Sequence, residues 1–338
     1  MHLLEPFQLK DLQLKNRIVM PPMCQYSVAT KDGIPNDWHF THYTSRAIGG
    51  TGFIIIEMTD VEPDGRITDF DLGIWSDQHI PAFERIIKSC QSYGAKVAIQ
   101  IAHAGRKAQD ADQPVSSSDI AFSDTFKKPH ALTTEEVYDM IDKFEAAFKR
   151  AVEAGVDAIE IHGAHGYLIH QFQSELTNQR TDEFGKDKSL FGVEIIKRAR
   201  KVMPDSMPLI MRISAVEFDP NGYDLSYGIE LAKKYKQAGI DMLHVSSGGE
   251  STNGPTFAGP GYQVEYAKEM KQALGIPAIA VGRIEDPMLA EQVIKEEKAD
   301  LIAVGRGMLS NPYWASAASI ALGSEPLTPQ PYSRAYRL

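Results

Sequence analysis

Ala154-Gly155-Val156-Asp157-Ala158-Ile159-Glu160-Ile161-His162-Gly163-Ala164-His165-Gly166-Tyr167 carries two signals at once. Its first half closes an amphipathic pattern that runs from Thr134 to Glu153. Gly155 then stops the helix, and Ala158 to Ile161 reads as a short, fully buried strand. Its second half sets two imidazoles and a phenol within six residues, spaced by glycines. Core packing does not call for that composition. Glycine lets the backbone turn sharply or approach a ligand, and His and Tyr supply the donors and protons of sites. The stretch reads as a site at the end of a strand.

The same order, helix then Gly or small residue then apolar run, recurs along the chain. Ile80 to Tyr93 precedes Gly94-Ala95 and the run Lys96 to Gln100. Leu225 to Gln237 precedes Ala238-Gly239-Ile240-Asp241 and Met242 to Val245. Asp286 to Glu297 precedes Ala299-Asp300 and Leu301 to Val304. Arg17 to Met20, Phe53 to Ile56, Leu209 to Arg212 and Ala278 to Val281 complete the series. Eight parallel strands alternating with helices predict a TIM (β/α)8 barrel. A doubly wound open sheet is the rival, with fewer strands per domain. No Pro/Ser-rich linker divides the 338 residues, so a single domain over 1–338 is expected. Val28 to Trp38 and Asp110 to Leu132 read as polar excursions after strands one and three. The tail, 323–338, holds Pro326, Pro329 and Pro331 followed by Tyr332, Arg334, Tyr336 and Arg337. Proline predicts no regular helix there; the tail is either loose or docked on a neighbour.

Composition narrows the class. A hydrophobic fraction of 43% and a charged fraction of 24% suit a globular protein with an ample core. A net charge of −10 argues against general nucleic-acid binding. No apolar run approaches the ~20 residues that cross a bilayer, and Met1 to Lys15 lacks a signal-peptide pattern. With only Cys24 and Cys90 no disulfide framework is expected, and a cytoplasmic home follows.

Active sites of such barrels lie at the C-terminal ends of the strands. Those ends read Pro21-Pro22-Met23-Cys24-Gln25-Tyr26, Glu57-Met58-Thr59, Gln100 with His103 to Arg106, His162 to Tyr167, Arg212, Ser246 to Gly249, Gly282-Arg283 and Gly305-Arg306-Gly307. The opposite ends carry Ala-Gly-x-Asp turns. Glycines after strands seven and eight, with helices soon after, are the usual phosphate grip, to which Arg306, and with less weight Arg283, adds charge. Gln100 can pair with a heterocycle edge. Arg212 is a cation able to stabilise a reduced, anionic ring. Together these describe a flavin mononucleotide site with hydrogen-bond donors above the ring.

The motifs Leu14 to Met20 with Pro22 to Tyr26, Gln100 to Arg106, Glu160 to Tyr167 and Val304 to Arg306, with the tail Tyr332-Ser333-Arg334, resemble the old yellow enzyme family of FMN-dependent ene-reductases, and most of all its bacterial NADPH-dehydrogenase subclass. The resemblance implies that Pro21, Pro22, Met23 and Cys24 line the flavin, with the Cys24 thiol tuning its potential, and that Met58 touches it through its backbone. It implies Gln100 and Arg212 at the pyrimidine end and Gly282, Gly305 and Arg306 at the phosphate. It further implies His162 and His165 as donors to the substrate oxygen, Tyr26 as a substrate contact and Tyr167 as proton donor. NADPH is the implied hydride source, and α,β-unsaturated aldehydes, ketones, maleimides and nitro compounds the acceptors. A homodimer or homotetramer is implied, with Arg334 entering the neighbouring protomer's site.

Two other functions are weighed. His162 and His165 suit Zn²⁺ in a metal-dependent hydrolase, but Asp241 and Asp300 sit at the opposite strand ends, so no metal is expected. A flavin-binding sensor without turnover is the second, against which Tyr167 beside both histidines counts. His103 reads as structural. The chain departs from the family pattern in 174–191, where an Asn-Arg pair is missing, and at Ser310, where close relatives carry Arg.

Overall fold

The computed structural model describes residues 1–336; Arg337 and Leu338, the end of the predicted tail, lie outside the described residues. Eight parallel strands close into a barrel: β1 (Ile18–Met20), β2 (Phe53–Asp60), β3 (Lys96–Ala102), β4 (Ala158–Gly163), β5 (Leu209–Ser214), β6 (Met242–Ser246), β7 (Ala278–Ala280) and β8 (Leu301–Ala303). Each pairs with the next, and β8 returns to β1 while β1 also pairs with β2, so the sheet has no open edge. The doubly wound alternative is thereby set aside. Helices α1 (Asp37–Ile48), α2 (Ile80–Ser92), α3 (Thr134–Glu153), α4 (Leu190–Val202), α5 (Leu225–Ala238), α6 (Val264–Leu274), α7 (Pro287–Lys295) and α8 (Trp314–Ala321) alternate with the strands. In α3 the residues Val137, Met140, Ile141, Phe144, Ala147, Phe148 and Ala151 are buried. That is the i, i+3, i+4 spacing of one helical face, and a Thr133–Glu136 capping box starts it.

The Ala-Gly-x-Asp turns have a definite use. Gly155 and Gly239 take positive φ values of 89° and 127° to leave their helices. The Asp that follows clamps the preceding strand. Asp157 Oδ2 accepts the Val97 N–H at 2.9 Å, and Asp241 Oδ2 accepts that of Leu209 at 2.9 Å. Asp300 Oδ2 accepts that of Ala278 at 2.9 Å. These carboxylates register neighbouring strands at the N-terminal end, far from the predicted site.

Inward-facing residues form layers. The lowest is apolar, with Val19, Phe53, Ile55, Ala98, Ala158, Ile210, Met242, Ile279, Leu301 and Ala303 from all eight strands. An N-terminal hairpin, Phe7–Leu9 against Leu12–Leu14, plugs this end with buried Leu12 and Leu14. Two residues further along the strands the interior turns polar. Gln100 Nε2 donates to Glu160 Oε1 at 2.7 Å, and His244 Nδ1 lies 2.7 Å from Glu160 Oε2.

The structure changes four details of the sequence reading. β4 extends to Gly163, so His162 stands on the strand rather than beyond it. The N-terminal hairpin, too short for a periodic signal, was not predicted. The excursion 110–132 carries a two-residue parallel pairing, Val115–Ser116 with His130–Ala131. The tail is not free of helix: Gln330–Tyr336 forms a 3-10 turn. Pro331 is tolerated at its start because the first turn needs no N–H from it. Ahead of that turn the tail is held to its own chain, where Leu327 N–H donates to Ser316 Oγ at 3.1 Å. Among the described residues no helix is long and apolar enough to cross a membrane.

Leu14 fills the barrel floor at 2% exposure. Leu14→Ala should lower unfolding free energy by about 2–4 kcal/mol in chemical denaturation, while the residues of the opposite face keep their arrangement.

Candidate active site

Period-two alternation carries the β4 interior from Ala158 through Glu160 to His162. It carries β5 from Ile210 through Arg212 to Ser214, and β6 from Met242 through His244 to Ser246. His162, Ser214 and Ser246 therefore share the uppermost layer. His165 projects from the turn that follows β4. Its backbone N–H donates to Ser214 Oγ at 3.1 Å, and its ring Nε2 lies 2.7 Å from Ser246 Oγ. The His162 and His165 rings meet edge to face at 5.1 Å and 86°. Tyr167 stands against His162 at 4.9 Å and 80°. The three groups adjacent in sequence are thus one cluster in space.

The protonation states follow from the surroundings. His162 Nδ1 accepts the Ala164 N–H at 3.3 Å, which leaves the ring proton on Nε2. Burial, and then the Arg212 cation, hold both histidines well below the ordinary imidazole pKa, so they are neutral. Burial pushes the Tyr167 phenol well up, with Cys24 and Tyr26 adding to it. Neutral imidazoles and a protonated phenol are donors, which suits hydrogen bonding to a developing oxyanion and a single proton delivery.

The other predicted residues surround this cluster. Pro21 and Pro22 are buried, and Met23 and Cys24 are half-buried. Cys24 and Tyr167 both pack on the small apolar cluster of Met58, Ile67, Ala102, Ala104, Ala108 and Ala111. Tyr26 is 49% exposed at the mouth, in a left-handed conformation at φ 50°. Gln100 and Arg212 lie in or just above the polar layer. Gly282 has φ 127°, and a Cβ there would stand 3.0 Å from Gln263 Nε2. Gly305 caps the short helix Arg306–Ser310, with Met23 Sδ and Pro21 as its nearest neighbours. The Arg306 side chain is 71% exposed and leans toward Glu285 at 3.8 Å. Arg283 donates to the Ala258 carbonyl at 2.7 Å. Arg334 lies exposed on the tail and is not brought to this cluster. His103 is held by Glu62 at 2.8 Å and accepts the Gly105 N–H at 2.9 Å.

A ring of carboxyls stands behind Cys24. Burial raises Glu57 to about 8 and Asp71 to about 6, and Asp60 well above its ordinary value. Both Asp60 oxygens are buried without a hydrogen-bond partner among the described residues. Burial, and then Asp71, Glu57 and Asp60, raise Cys24 well above the usual thiol value.

Other participants were missed in the sequence. Glu160, Ser214 and His244 are inward by alternation, so the signal was present; Ser246, already read at the end of strand six, joins them. Lys107 gave none. Its Nζ donates to the carbonyls of His165, at 2.9 Å, and of Gly249. In 174–191 the departure from the family pattern leaves an ordered loop. Asn178 Nδ2 donates to the Phe172 and Phe184 carbonyls at 2.7 and 2.8 Å, and Arg180 pairs with Asp182. Ser310 Oγ donates to its own Gly307 carbonyl at 3.0 Å.

The residues present fit a flavin. Arg212 Nε is buried without a partner among the described residues, as a cation held for a ligand would be. The glycine ends of β7 and β8 add backbone donors beside Met23 and Pro21. A metal reading finds no such support: the described residues gather a His/carboxylate trio only at His170, Glu217 and Glu250, which excludes His162 and His165. The site thus defines a flavin-dependent barrel oxidoreductase. A family model described as the NADH:flavin oxidoreductase / NADH oxidase family matches residues 2–324, and the chain belongs to that family, the old yellow enzymes, with FMN as cofactor. The NADPH dehydrogenase of Listeria welshimeri is 45% identical over 338 residues, 99% of each chain. That of Bacillus subtilis is 42% identical over 337 residues, again 99% of each. Morphinone reductase superimposes with a TM-score of 0.82 at 24% identity, over 98% of this chain and 92% of its own.

The raised thiol pKa makes Cys24 a poor nucleophile. Iodoacetamide at pH 8 should alkylate it at least about tenfold more slowly than a free cysteine peptide, read by mass spectrometry of the peptide. Asp71→Asn, which removes the charge that most opposes the thiolate, should speed the reaction.

Proposed function

We propose that this enzyme is an ene-reductase that takes hydride from NADPH and reduces the C=C bond of α,β-unsaturated aldehydes, ketones and maleimides, with nitro compounds as further acceptors. The observation that carries the reading is the cluster of neutral His162, neutral His165 and protonated Tyr167 beside the buried Arg212. FMN, when bound, supplies the hydride relay between donor and acceptor. Pro21, Pro22, Met23 and Cys24 would line it, with Met58 beside them. Gln100 and Arg212 would hold its polar ring edge, and Gly282, Gly305 and Arg306 its phosphate.

The chain's own part in the chemistry is donation. His162 offers Nε2–H, because Ala164 occupies Nδ1. His165 accepts the Ser246 hydroxyl at Nε2, so its one ring proton stands on Nδ1 and is the second donor to the same substrate oxygen. As negative charge develops on that oxygen, two preset donors stabilise it without reorganisation. Tyr167 then delivers a proton to the α-carbon. Its raised pKa keeps that proton available through the neutral range. Tyr26, at the mouth, contacts the substrate. Retention of all three groups counts against a sensor without turnover.

Purified protein should be yellow and should bleach on NADPH addition; colourless protein that FMN cannot reconstitute would end this reading. His162→Ala should keep the flavin but weaken phenol charge-transfer binding and cut enone reduction about 100-fold. Tyr167→Phe should leave flavin reduction by NADPH intact and slow enone turnover by about 100-fold. Unchanged enone kinetics in both variants would remove their assigned roles.

A cytoplasmic, homodimeric or homotetrameric enzyme forming one 338-residue domain completes the proposal, its tail placing Arg334 in a neighbour's site. The exposed position of Arg334 on the 3-10 turn is consistent with that reach. Arg334→Ala should raise the enone KM without changing FMN content. A monomer by light scattering at micromolar concentration, with unaltered KM in the variant, would refute it.

A further inference from the structure

His165 and Gly166 are two consecutive residues in the left-handed region, at φ 61° and 72°. Gly166 is required there, since a Cβ would come within 2.1 Å of the Gly249 carbonyl oxygen. His165 has no such exemption, and a side chain in this region is disfavoured. Something must hold the turn. All four backbone polar groups of the pair are bound by side chains. His165 N–H donates to Ser214 Oγ at 3.1 Å, and Lys107 Nζ donates to the His165 carbonyl at 2.9 Å. Gly166 N–H donates to His170 Nδ1 at 2.9 Å, and Gln171 Nε2 donates to the Gly166 carbonyl at 2.8 Å.

His170 differs from the other three because its competence depends on a tautomer. It accepts the Gly166 N–H only if Nδ1 carries no proton. Its other nitrogen, Nε2, lies 3.1 Å from Glu217 Oε1 and 2.9 Å from the Tyr223 hydroxyl. The Tyr223 hydroxyl donates to the Ser214 carbonyl at 2.7 Å, so it and Glu217 both present acceptors to Nε2–H. Glu217 Oε2 is itself fixed by the Tyr223 N–H at 2.9 Å. Both His170 and Glu217 are fully buried. A carboxylate fixing the second nitrogen of a histidine is the arrangement that selects a tautomer and ring orientation.

The same residues could be read as a metal trio, because His170, Glu217 and Glu250 lie within 4.8 Å of one another. The bonding argues otherwise. Nδ1 is occupied by an amide N–H and Nε2–H faces Glu217; Glu250 Oε1 is paired with Arg106 at 2.8 Å, while its Oε2 stands 3.7 Å from Nδ1, beyond hydrogen-bond reach.

We propose that His170, with its tautomer set by Glu217, is a positioning residue that holds the His165–Gly166 turn and so aims the His165 ring at the substrate. This rests on the reading of His165 as a substrate donor. His170 lies a turn further on, in the helix Leu168–Gln173, and acts through the Gly166 amide rather than on the reacting atoms. Lost positioning would therefore weaken substrate-oxygen recognition while leaving the flavin bound and its reaction with oxygen unaltered.

Two substitutions of the FMN-loaded enzyme separate this role from simple space filling. In His170→Asn the amide oxygen falls near the place of Nδ1 and can still accept from Gly166. In His170→Gln the amide falls near Nε2 and cannot. H170Q should bind p-hydroxybenzaldehyde roughly tenfold more weakly, the effect of losing one hydrogen bond. Reoxidation of photoreduced H170Q by cyclohexenone should slow by a similar factor, and reoxidation by oxygen should not change. Hydrogen exchange of the peptide spanning 163–168 should accelerate about tenfold in H170Q, with or without FMN. H170N should stay within about threefold of wild type in each measurement. Should H170Q fail to accumulate, Glu217→Gln, which keeps the shape but removes the charge that selects the tautomer, should weaken phenol binding and speed the same exchange. Equal behaviour of H170N and H170Q overturns the proposal, whether both are normal or both are defective. So does faster exchange with unchanged phenol binding. His165→Ala serves as the control. If it binds phenols normally, the donor reading fails first; if it is impaired while H170Q is not, only the positioning role fails.

Discussion

Closure of the sheet is the constraint on which the rest depends. Eight strands paired in a ring leave no edge, and their inward side chains must fill a space that water does not enter. Each strand then offers its interior one residue in two. Polar groups admitted to that interior must find partners. The barrel meets this by grading its contents. An apolar floor, stoppered by Leu12 and Leu14, gives way to the Gln100–Glu160–His244 layer, and then to His162, Ser214 and Ser246 at the open end.

That grading sets the electrostatics of the site. Arg212 is a buried cation with an unpartnered Nε among the described residues, and it helps keep the nearby histidines neutral. A neutral imidazole donates a hydrogen bond without introducing a second charge, so in the proposed reaction the cationic field would act on the bound flavin and the developing oxyanion. On the other side, the thiol's own burial, and then the nearby carboxyls, keep Cys24 protonated. The face thus sets the Arg212 cation apart from a group of buried carboxyls, held toward their neutral forms, on the Cys24 side. The donor turn between them is strained, and side chains from three separate segments hold it.

Much of this was legible in the chain. Gly155 and Gly239 mark helix ends because a residue free of Cβ strain leaves a helix sharply at little cost, and the runs that follow are mostly apolar because both faces of a parallel strand are covered. Position at the strand ends also picked out Gln100, His162 and Arg212. Alternation would have delivered Glu160, Ser214 and His244 had it been followed along each strand. The hairpin at Phe7–Leu14 was not legible, since three-residue strands carry too few positions to establish a period.

By itself, then, the sequence determined the barrel, the face that bears the site and the His-His-Tyr group, because each rests on local periodicity or on a motif contiguous along the chain. Only the tertiary structure decided which nitrogen of His162 carries the proton, how far the Cys24 thiol is raised, and that Lys107 and His170 hold the His165–Gly166 turn. Those properties depend on distances between residues far apart in the chain, such as His170 and Glu217 or Cys24 and Asp71. Burial and hydrogen-bond direction exist only once the ring of strands has closed.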